Sequence, residues 1–324
     1  MKLIIQIPCF NEEKTLAVTV ADLPSQLPGI DTIEYLVIDD GSRDRTRDVA
    51  RQCGVHHIVG FRQNRGLARG FMLGLNTALS LGADIIVNTD ADNQYCGHDI
   101  AKLVAPIVAG EADVVVGDRQ TQDIEHFSGF KKFLQKHGSF WVGKFAGLDV
   151  PDATSGFRAI SREAAMDLNV VSDFSYTLET LIQAGQKRLA VKCVPIRTND
   201  KLRESRLFKS MFSFVRKSGS TMVRVYTTHE PLKVFFSLAV LPLLGSVILF
   251  GRFLFYYLRH GHAGLIQSLI LGTVLFLVSA FLMTIGLLAD MINANRRLLE
   301  HVLKLEKMQM YGLAPKANVD AMKG

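Results

Sequence analysis

Four short apolar runs punctuate the first 120 residues: "LIIQI" (3–7), "EYLVI" (34–38), "ADIIV" (83–87) and "ADVVV" (112–116). Apolar runs of this length, rich in Ile and Val, predict strands buried on both faces of a parallel sheet. Between them, residues 12–23 and 67–81 space their apolar side chains as helices do. Strand–helix–strand alternation implies a doubly wound α/β sheet with right-handed crossovers, whose ligands bind at the carboxyl ends of the strands. Each predicted strand ends in polar chemistry: Pro8, Asn11 and Glu12; Asp39-Asp40-Gly41-Ser42; Asp90-Ala91-Asp92; and Gly117-Asp118-Arg119. Four such clusters at equivalent topological positions are expected to converge on one site.

The pattern changes near residue 201. Residues 203–230 mix Arg and Lys with Phe, Met, Leu and Val, a composition suited to amphipathic helices in the headgroup layer of an anionic leaflet. Residues 234–251 carry no charge and the apolar run continues past Arg252 to Leu258; a second charge-free run covers 264–289. A helix of about 20 residues crosses the roughly 30 Å hydrocarbon core, so two spans are predicted, near 232–258 and 264–289. The link "RHGHAG" is short enough to make them a hairpin. Arg216, Lys217, Arg224 and Lys233 precede it and Arg296, Arg297, Lys304 and Lys307 follow it. Both flanks, and with them the catalytic domain, are therefore expected on the cytoplasmic side. The division expected is a catalytic domain to residue 202, interfacial helices over 203–230, two spans within 231–290 and a cytoplasmic helical tail over 291–324. In that tail Met291, Leu298 and Leu305 recur every seven residues, with Val302 between the last two. Two heptads do not establish a coiled coil, and assembly into a homo-oligomer stays open.

Composition agrees with a water-soluble part joined to a membrane part: 48% of the 324 residues are hydrophobic, yet 21% are charged. The formal net charge of +6 favours phosphate-bearing partners. Nucleic acid is not among them, because no element interleaves basic residues with a platform of aromatic ones. The scattered Cys9, Cys53, Cys96 and Cys193 form no C-x-x-C pair and read as reduced thiols. The first apolar run is too short for a signal peptide, and Pro8 interrupts it.

Asp90-Ala91-Asp92 with Gln94 gathers two carboxylates and an amide carbonyl after a buried strand. Hard oxygen ligands of this kind suit Mg²⁺ or Mn²⁺ with positions left open for substrate phosphates. A calcium loop starting at Asp90 would need Gly sixth and Glu twelfth, where Tyr95 and Ala101 stand. A divalent ion on a diphosphate offsets the charge on a departing nucleotide, which implies transfer from a nucleotide sugar. Asp39 and Asp40 suit hydrogen bonds to base and ribose, or capping of a helix beginning near Ser42. No G-x-G-x-x-G turn follows the first strand. Gly66, Gly70 and Gly74 are read as close helix packing, with Arg65 and Arg69 as the residues that reach a diphosphate.

"IPCFNEEKTL", "VIDDGSRDRT", "DADNQ", "VVGDR" and "TSGFRAISR" together resemble glycosyltransferase family 2 with the GT-A fold. Within it the chain is similar to the polyprenyl-phosphate group that includes dolichyl-phosphate mannose synthases and bactoprenol glucosyltransferases. The resemblance runs over residues 1 to about 210, and the hairpin also matches the bactoprenol members. It implies that Pro8, Asn11, Glu12, Asp39 and Asp40 line the nucleotide pocket, with Ser42, Arg69 and Ala91 beside them. Asp90, Asp92 and Gln94 would serve the metal, and Arg119 and Lys131 the acceptor phosphate. Arg203-Glu204-Ser205-Arg206 stands where the family has G-E-S-K, a segment expected to close over the diphosphate. "NQYCGHD" (93–99) replaces the usual "LQHPPED", with Tyr95 where His is common.

A lipid phosphate is already substantially ionised near neutral pH and needs positive charge to align it rather than a base. Arg119, Lys131, Lys132, Arg203 and Arg206 supply such charge. Glu179 matches an acidic position of the family, as a base or sugar contact or, the reading favoured from the residues, as a structural partner. Transfer to a glycolipid hydroxyl would make Glu179 the catalytic base. A processive synthase is excluded, since Trp141 is the only Trp and no Q-x-x-R precedes it. A non-catalytic scaffold would have no physical need of the paired carboxylates.

Overall fold

The computed structural model describes residues 1–120, 143, 147–170, 176–200, 226–227, 230–261 and 264–312. The chain forms two compact units, Met1–Met222 with Lys304–Gly324 and Val223–Leu303. The tail expected to follow the spans as a separate piece thus belongs, from Lys304 onward, with the first unit. The expected interfacial helices over 203–230 lie almost wholly outside the described residues.

The first unit is built on a seven-stranded sheet: β1 (Lys2–Cys9), β2 (Thr32–Asp40), β3 (His57–Phe61), β4 (Ile85–Asn88), β5 (Val114–Asp118), β6 (Arg158–Ser161) and β7 (Val191–Pro195). Its order is β3-β2-β1-β4-β6-β5-β7. The four apolar runs are β1, β2, β4 and β5. β1 pairs in parallel with β2 and β4, which sets Cys9 level with Asp39 and Gln6 level with Asn88. β6 runs antiparallel between β4 and β5. It therefore separates two strands that the alternation alone would place side by side. β3 and β7 are edge strands, mostly half-buried, and lack the apolar continuity that marks the central ones.

The helices here are α1 (Leu16–Asp22), α2 (Thr46–Gln52), α3 (Leu67–Ser80), α4 (Ile100–Val108), α5 (Arg162–Asp167) and α6 (Tyr176–Gln186). Leu3, Ile5, Ile7, Val37, Val87, Leu103, Val115 and Phe157 share one buried core. Each large apolar side chain so buried contributes about 1.5–3 kcal/mol. The glycines of α3 serve packing: a Cβ at Gly74 would stand 2.4 Å from Gln6 Oε1 and 2.8 Å from Ile38 Cδ1.

The second unit holds α7 (Pro231–His260) and most of α8 (Ile266–Met310), both long and apolar enough to cross a membrane. They pack as an antiparallel pair. Ser279 Oγ donates to the Ala239 carbonyl at 3.0 Å. A Cβ at Gly272 would meet Phe250 at 2.9 Å and one at Gly286 would meet Phe235 at 3.0 Å. Gly272, Ser279 and Gly286 recur every seven residues, and small residues on one stripe let helix backbones approach closely. Leu241, Ile248 and Phe281 point outward, exposed. Such an outer surface suits hydrocarbon, not water. α8 does not stop at residue 289 but continues unbroken to Met310, roughly 68 Å in all at 1.5 Å per residue.

Among the described residues Arg158 is the largest fully buried side chain. Its guanidinium donates to the carbonyls of Ser155, Thr177 and Ala153, each at 2.8 Å, and to Thr180 Oγ1 at 2.7 Å. These bonds pin the 152–156 turn to α6. Arg158→Met strands those buried acceptors and is expected to lower unfolding stability by at least about 3 kcal/mol, read from the denaturant midpoint in detergent.

Candidate active site

The nucleotide-pocket residues expected from the sequence meet where β1 and β2 end. Asn11 adopts a left-handed backbone, φ 56°. Its N–H donates to Ser42 Oγ at 2.9 Å, and its Oδ1 accepts from the Arg43 N–H at 2.9 Å. The Glu12 N–H donates to Thr46 Oγ1 at 2.8 Å, and its buried carboxylate accepts from Thr15 Oγ1 at 2.7 Å. The two loops are thus laced into one surface, with Pro8 beside Ile38 in the adjoining register.

Asp39 is fully buried. It accepts from the Ser42 N–H at 2.9 Å and from Arg47 Nε. The helix expected near Ser42 begins at Thr46, so Asp39 braces the turn ahead of it. Asp40 accepts from the N–H groups of Arg65 and Gly66 at 2.7 and 2.9 Å. That bond draws the loop before α3 across Gly41, where a Cβ would lie 2.5 Å from the Gln63 backbone. Arg65 lies over the Phe61 ring at 5.0 Å, and Arg69 is exposed in the first turn of α3.

The acidic triplet follows β4. Ala91 is buried and its carbonyl accepts from Thr19 Oγ1 at 3.0 Å. Gln94 holds Asp92, donating from its backbone to Oδ1 at 3.3 Å and from its side-chain amide to Oδ2 at 3.1 Å. Asp90 faces Gly156, where a Cβ would stand 3.4 and 3.6 Å from its two oxygens and 2.7 Å from the Tyr176 hydroxyl. Asn88, fully buried at the end of β4, joins these parts. It accepts from Gln6 Nε2 at 2.9 Å and donates to the Gly156 carbonyl at 2.8 Å and to the Tyr176 hydroxyl at 3.1 Å. Burial, then the charge of Asp90, pushes the Tyr176 phenol well above its ordinary value, so it stays neutral.

Tyr95, the departure from the family pattern, is buried and stacks on Phe157 with centroids 4.9 Å apart. Its hydroxyl accepts from the Gly156 N–H at 3.1 Å. Burial, with Asp90 adding to it, pushes its phenol up to about 12. Arg119 lies at the end of β5 and grips Asp152 with Nε at 2.7 Å and Nη2 at 2.9 Å. Nη2 also donates to Thr154 Oγ1 at 2.8 Å. Burial opposes its charge, but the Asp152 carboxylate, through its hydrogen bonds and charge and with Asp90 adding to it, outweighs that and holds Arg119 above its ordinary value. Glu179 is buried one turn beyond Tyr176 and accepts from Gln183 Nε2 at 3.3 Å. Lys131, Lys132, Arg203 and Arg206 lie outside the described residues.

The arrangement brings Asp90, Asp92, Gln94 and Arg119 to one end of the sheet. Among the described residues no group of three or more Asp, Glu, His or Cys side chains gathers as a closed metal cage. Two carboxylates without a third such ligand fit Mg²⁺ or Mn²⁺, which retain water and substrate phosphate as ligands. Asn88, Asp152, Gly156 and Tyr176 were not singled out from the sequence. Gly156 lies within "TSGFRAISR" and Asp152 two residues before it, the signal that could have found them; Asn88 and Tyr176 read as ordinary strand and helix residues.

Comparison with known proteins follows this geometry. The family model described as Glycosyl transferase family 2 matches residues 4–168. The chain is 31% identical over 216 residues to the UDP-N-acetylglucosamine–dolichyl-phosphate N-acetylglucosaminyltransferase of Methanococcus voltae, covering 59% of this chain and 83% of that one. It is 26% identical over 204 residues to the undecaprenyl-phosphate mannosyltransferase of Micrococcus luteus, covering 60% and 82%. The fold is shared with the glucosyl-3-phosphoglycerate synthase of Mycobacterium tuberculosis, crystallised with Mn²⁺, UDP and phosphoglyceric acid. That likeness has a TM-score of 0.55 at 19% identity and covers 69% of this chain and 78% of that one.

The segment after the triplet is clamped to the strand-β7 exit through Asp99. Its carboxylate accepts from the Arg197 N–H at 2.7 Å and Nη2 at 2.8 Å, with Lys102 Nζ at 3.0 Å. Burial alone would raise this carboxyl, but Arg197 and Lys102 hold it down at about 2. Because the folded value is depressed, its stabilisation is present above the unfolded value of about 3.9 and lost as pH falls toward the folded one. Asp99→Asn is expected to lower the thermal midpoint at pH 6, with the difference from wild type vanishing as melts approach pH 2.

Proposed function

The chain belongs to glycosyl transferase family 2, and we propose that it moves a sugar from a UDP- or GDP-sugar to polyprenyl phosphate. The transfer inverts the anomeric carbon at the cytoplasmic membrane face and yields a polyprenyl-phosphate sugar. One observation carries this reading: a single chain joins a paired-carboxylate site at the strand ends to two long apolar helices with an exposed outer surface. Relatives named for dolichyl phosphate and undecaprenyl phosphate support the acceptor class.

In this reading Asp90 and Asp92, the latter held by Gln94, would hold Mg²⁺ or Mn²⁺. The ion would supply charge that offsets the negative charge on a departing diphosphate. Pro8, Asn11, Glu12, Asp39, Asp40, Ser42 and Ala91 form the nucleotide pocket, with Arg69 toward the diphosphate. The carboxylates of Asp39 and Asp40 are already fixed by backbone N–H groups, so their remaining lone pairs are presented without reorganisation. The acceptor phosphate is ionised and requires alignment. Arg119 suits that role, since Asp152 and Thr154 take up Nε and Nη2, while no hydrogen bond among the described residues uses Nη1. Lys131, Arg203 and Arg206 add charge around the two phosphates, and Glu179 contacts the transferred sugar.

Purified protein incubated with UDP- and GDP-sugars, Mn²⁺ or Mg²⁺ and polyprenyl phosphate should form polyprenyl-phosphate sugar. Product on a glycolipid hydroxyl in its place would overturn the acceptor assignment and make Glu179 the base. Asp92→Ala is expected to cut kcat by at least about 10³-fold, the several kcal/mol a metal supplies, while membrane insertion is unchanged. Full wild-type turnover in excess EDTA would remove the metal from the mechanism.

A further inference from the structure

Beyond residue 290, α8 has two unlike faces. Asn293, Glu300 and Lys307 continue the seven-residue stripe of Gly272, Ser279 and Gly286 and stay buried or half-buried. Lys304 Nζ binds Asp167 Oδ2 at 2.7 Å and Lys307 Nζ binds Asn169 Oδ1 at 3.0 Å, both within the first unit. The opposite side is exposed and largely apolar, with Met291 67%, Leu298 66%, Val302 59% and Leu305 46% exposed, Ile292 and Leu299 beside them at 69% each, and Asn295 the polar residue among them.

Lipid does not reach this face if the helix leaves the bilayer at Asp290. At about 1.5 Å per residue, Leu298 and Leu305 lie about 12 and 23 Å farther along the axis. The headgroup layer adds only about 5–8 Å per side. A protein surface must cover them, and the spacing says which. Met291, Asn295, Leu298, Val302, Leu305 and Gln309 alternate at intervals of four and three, the seam of a coiled coil. One core position holds Met291, Leu298 and Leu305 and the other Asn295, Val302 and Gln309; Leu opposite a β-branched Val favours two parallel strands, and a polar Asn at a core position fixes their register. Two copies in one bilayer have their spans oriented alike, so their tails must run parallel. In that pairing His301 of one copy flanks Glu306 of the other across the seam.

We propose that residues 291–309 form a parallel two-stranded coiled coil with a second copy of this chain. The seam leaves the Lys304–Asp167 and Lys307–Asn169 contacts intact, because they use the other side of the helix. The proposal rests on the reading of α7 and α8 as membrane spans, and the test separates the two.

Cysteines are placed singly at 291, 298, 302 and 305 on the seam and at Arg297, Leu303 and Met310 off it, all exposed positions. The parent chain, whose four cysteines all lie before residue 200, serves as blank. Oxidative cross-linking in native membranes should give a dimer at least about tenfold more strongly at the seam positions. Equal cross-linking at both sets, stronger cross-linking off the seam, or none at all overturns the seam. Alkaline carbonate extraction is run in parallel. Release of the protein removes the membrane premise and the parallel pairing with it, whereas retention with a flat cross-linking pattern overturns the coiled coil alone.

Discussion

A buried amide holds the site together. Asn88 ends β4 with no exposure to solvent and bonds to β1 through Gln6, to the turn before β6 through the Gly156 carbonyl, and to α6 through the Tyr176 hydroxyl. Each of these partners would cost about 1–3 kcal/mol if left buried and unpaired. The arrangement is therefore over-determined: moving β4 relative to α6 breaks several bonds at once. Asp90 follows two residues later, at the end of the strand that this anchor fixes, with its carboxylate facing Gly156.

The same economy governs the charged groups. Asp39 and Asp40 are fixed by backbone N–H donors of the turns they close, and Asp92 by the backbone and amide of Gln94. Arg119 is fixed by Asp152, and Arg158 is held wholly by carbonyls and a hydroxyl. For Arg119 burial disfavours the charge and the paired Asp152 carboxylate restores it, whereas Arg158, with no carboxylate beside it, is left below its ordinary value by burial. Side chains fixed in this way present their remaining lone pairs and protons in set directions. Electrostatic stabilisation of a leaving diphosphate requires that, because reorganisation at the moment of reaction would consume the gain.

The hairpin follows a simpler rule. Small residues every seven positions let α7 and α8 approach, and polar residues continue that stripe where α8 leaves the apolar segment. One periodicity thus serves two environments, packing helix on helix in the apolar part and hydrogen bonding in the tail. Large apolar residues occupy much of the other face, interrupted in the tail by Asn295 and Gln309.

Much of this was legible in the chain. The four central strands, the strand-end chemistry, the glycine packing of α3 and the two apolar helices rest on local signals: continuous burial, turn residues at strand ends, and uncharged runs of spanning length. These require no knowledge of distant residues. The antiparallel insertion of β6 did not announce itself, since a four-residue strand containing a buried Arg has no apolar continuity. Nor did the pairing of Arg119 with Asp152, of Tyr95 with Gly156, or of Asn88 with Tyr176. These partners lie tens of residues apart, and each residue alone is compatible with many neighbours. The sequence by itself determined which residue types stand at the strand ends and that two long segments are apolar. Only the tertiary structure decided which of those residues hold one another, because hydrogen-bond partners at long separation are selected by packing and not by local pattern.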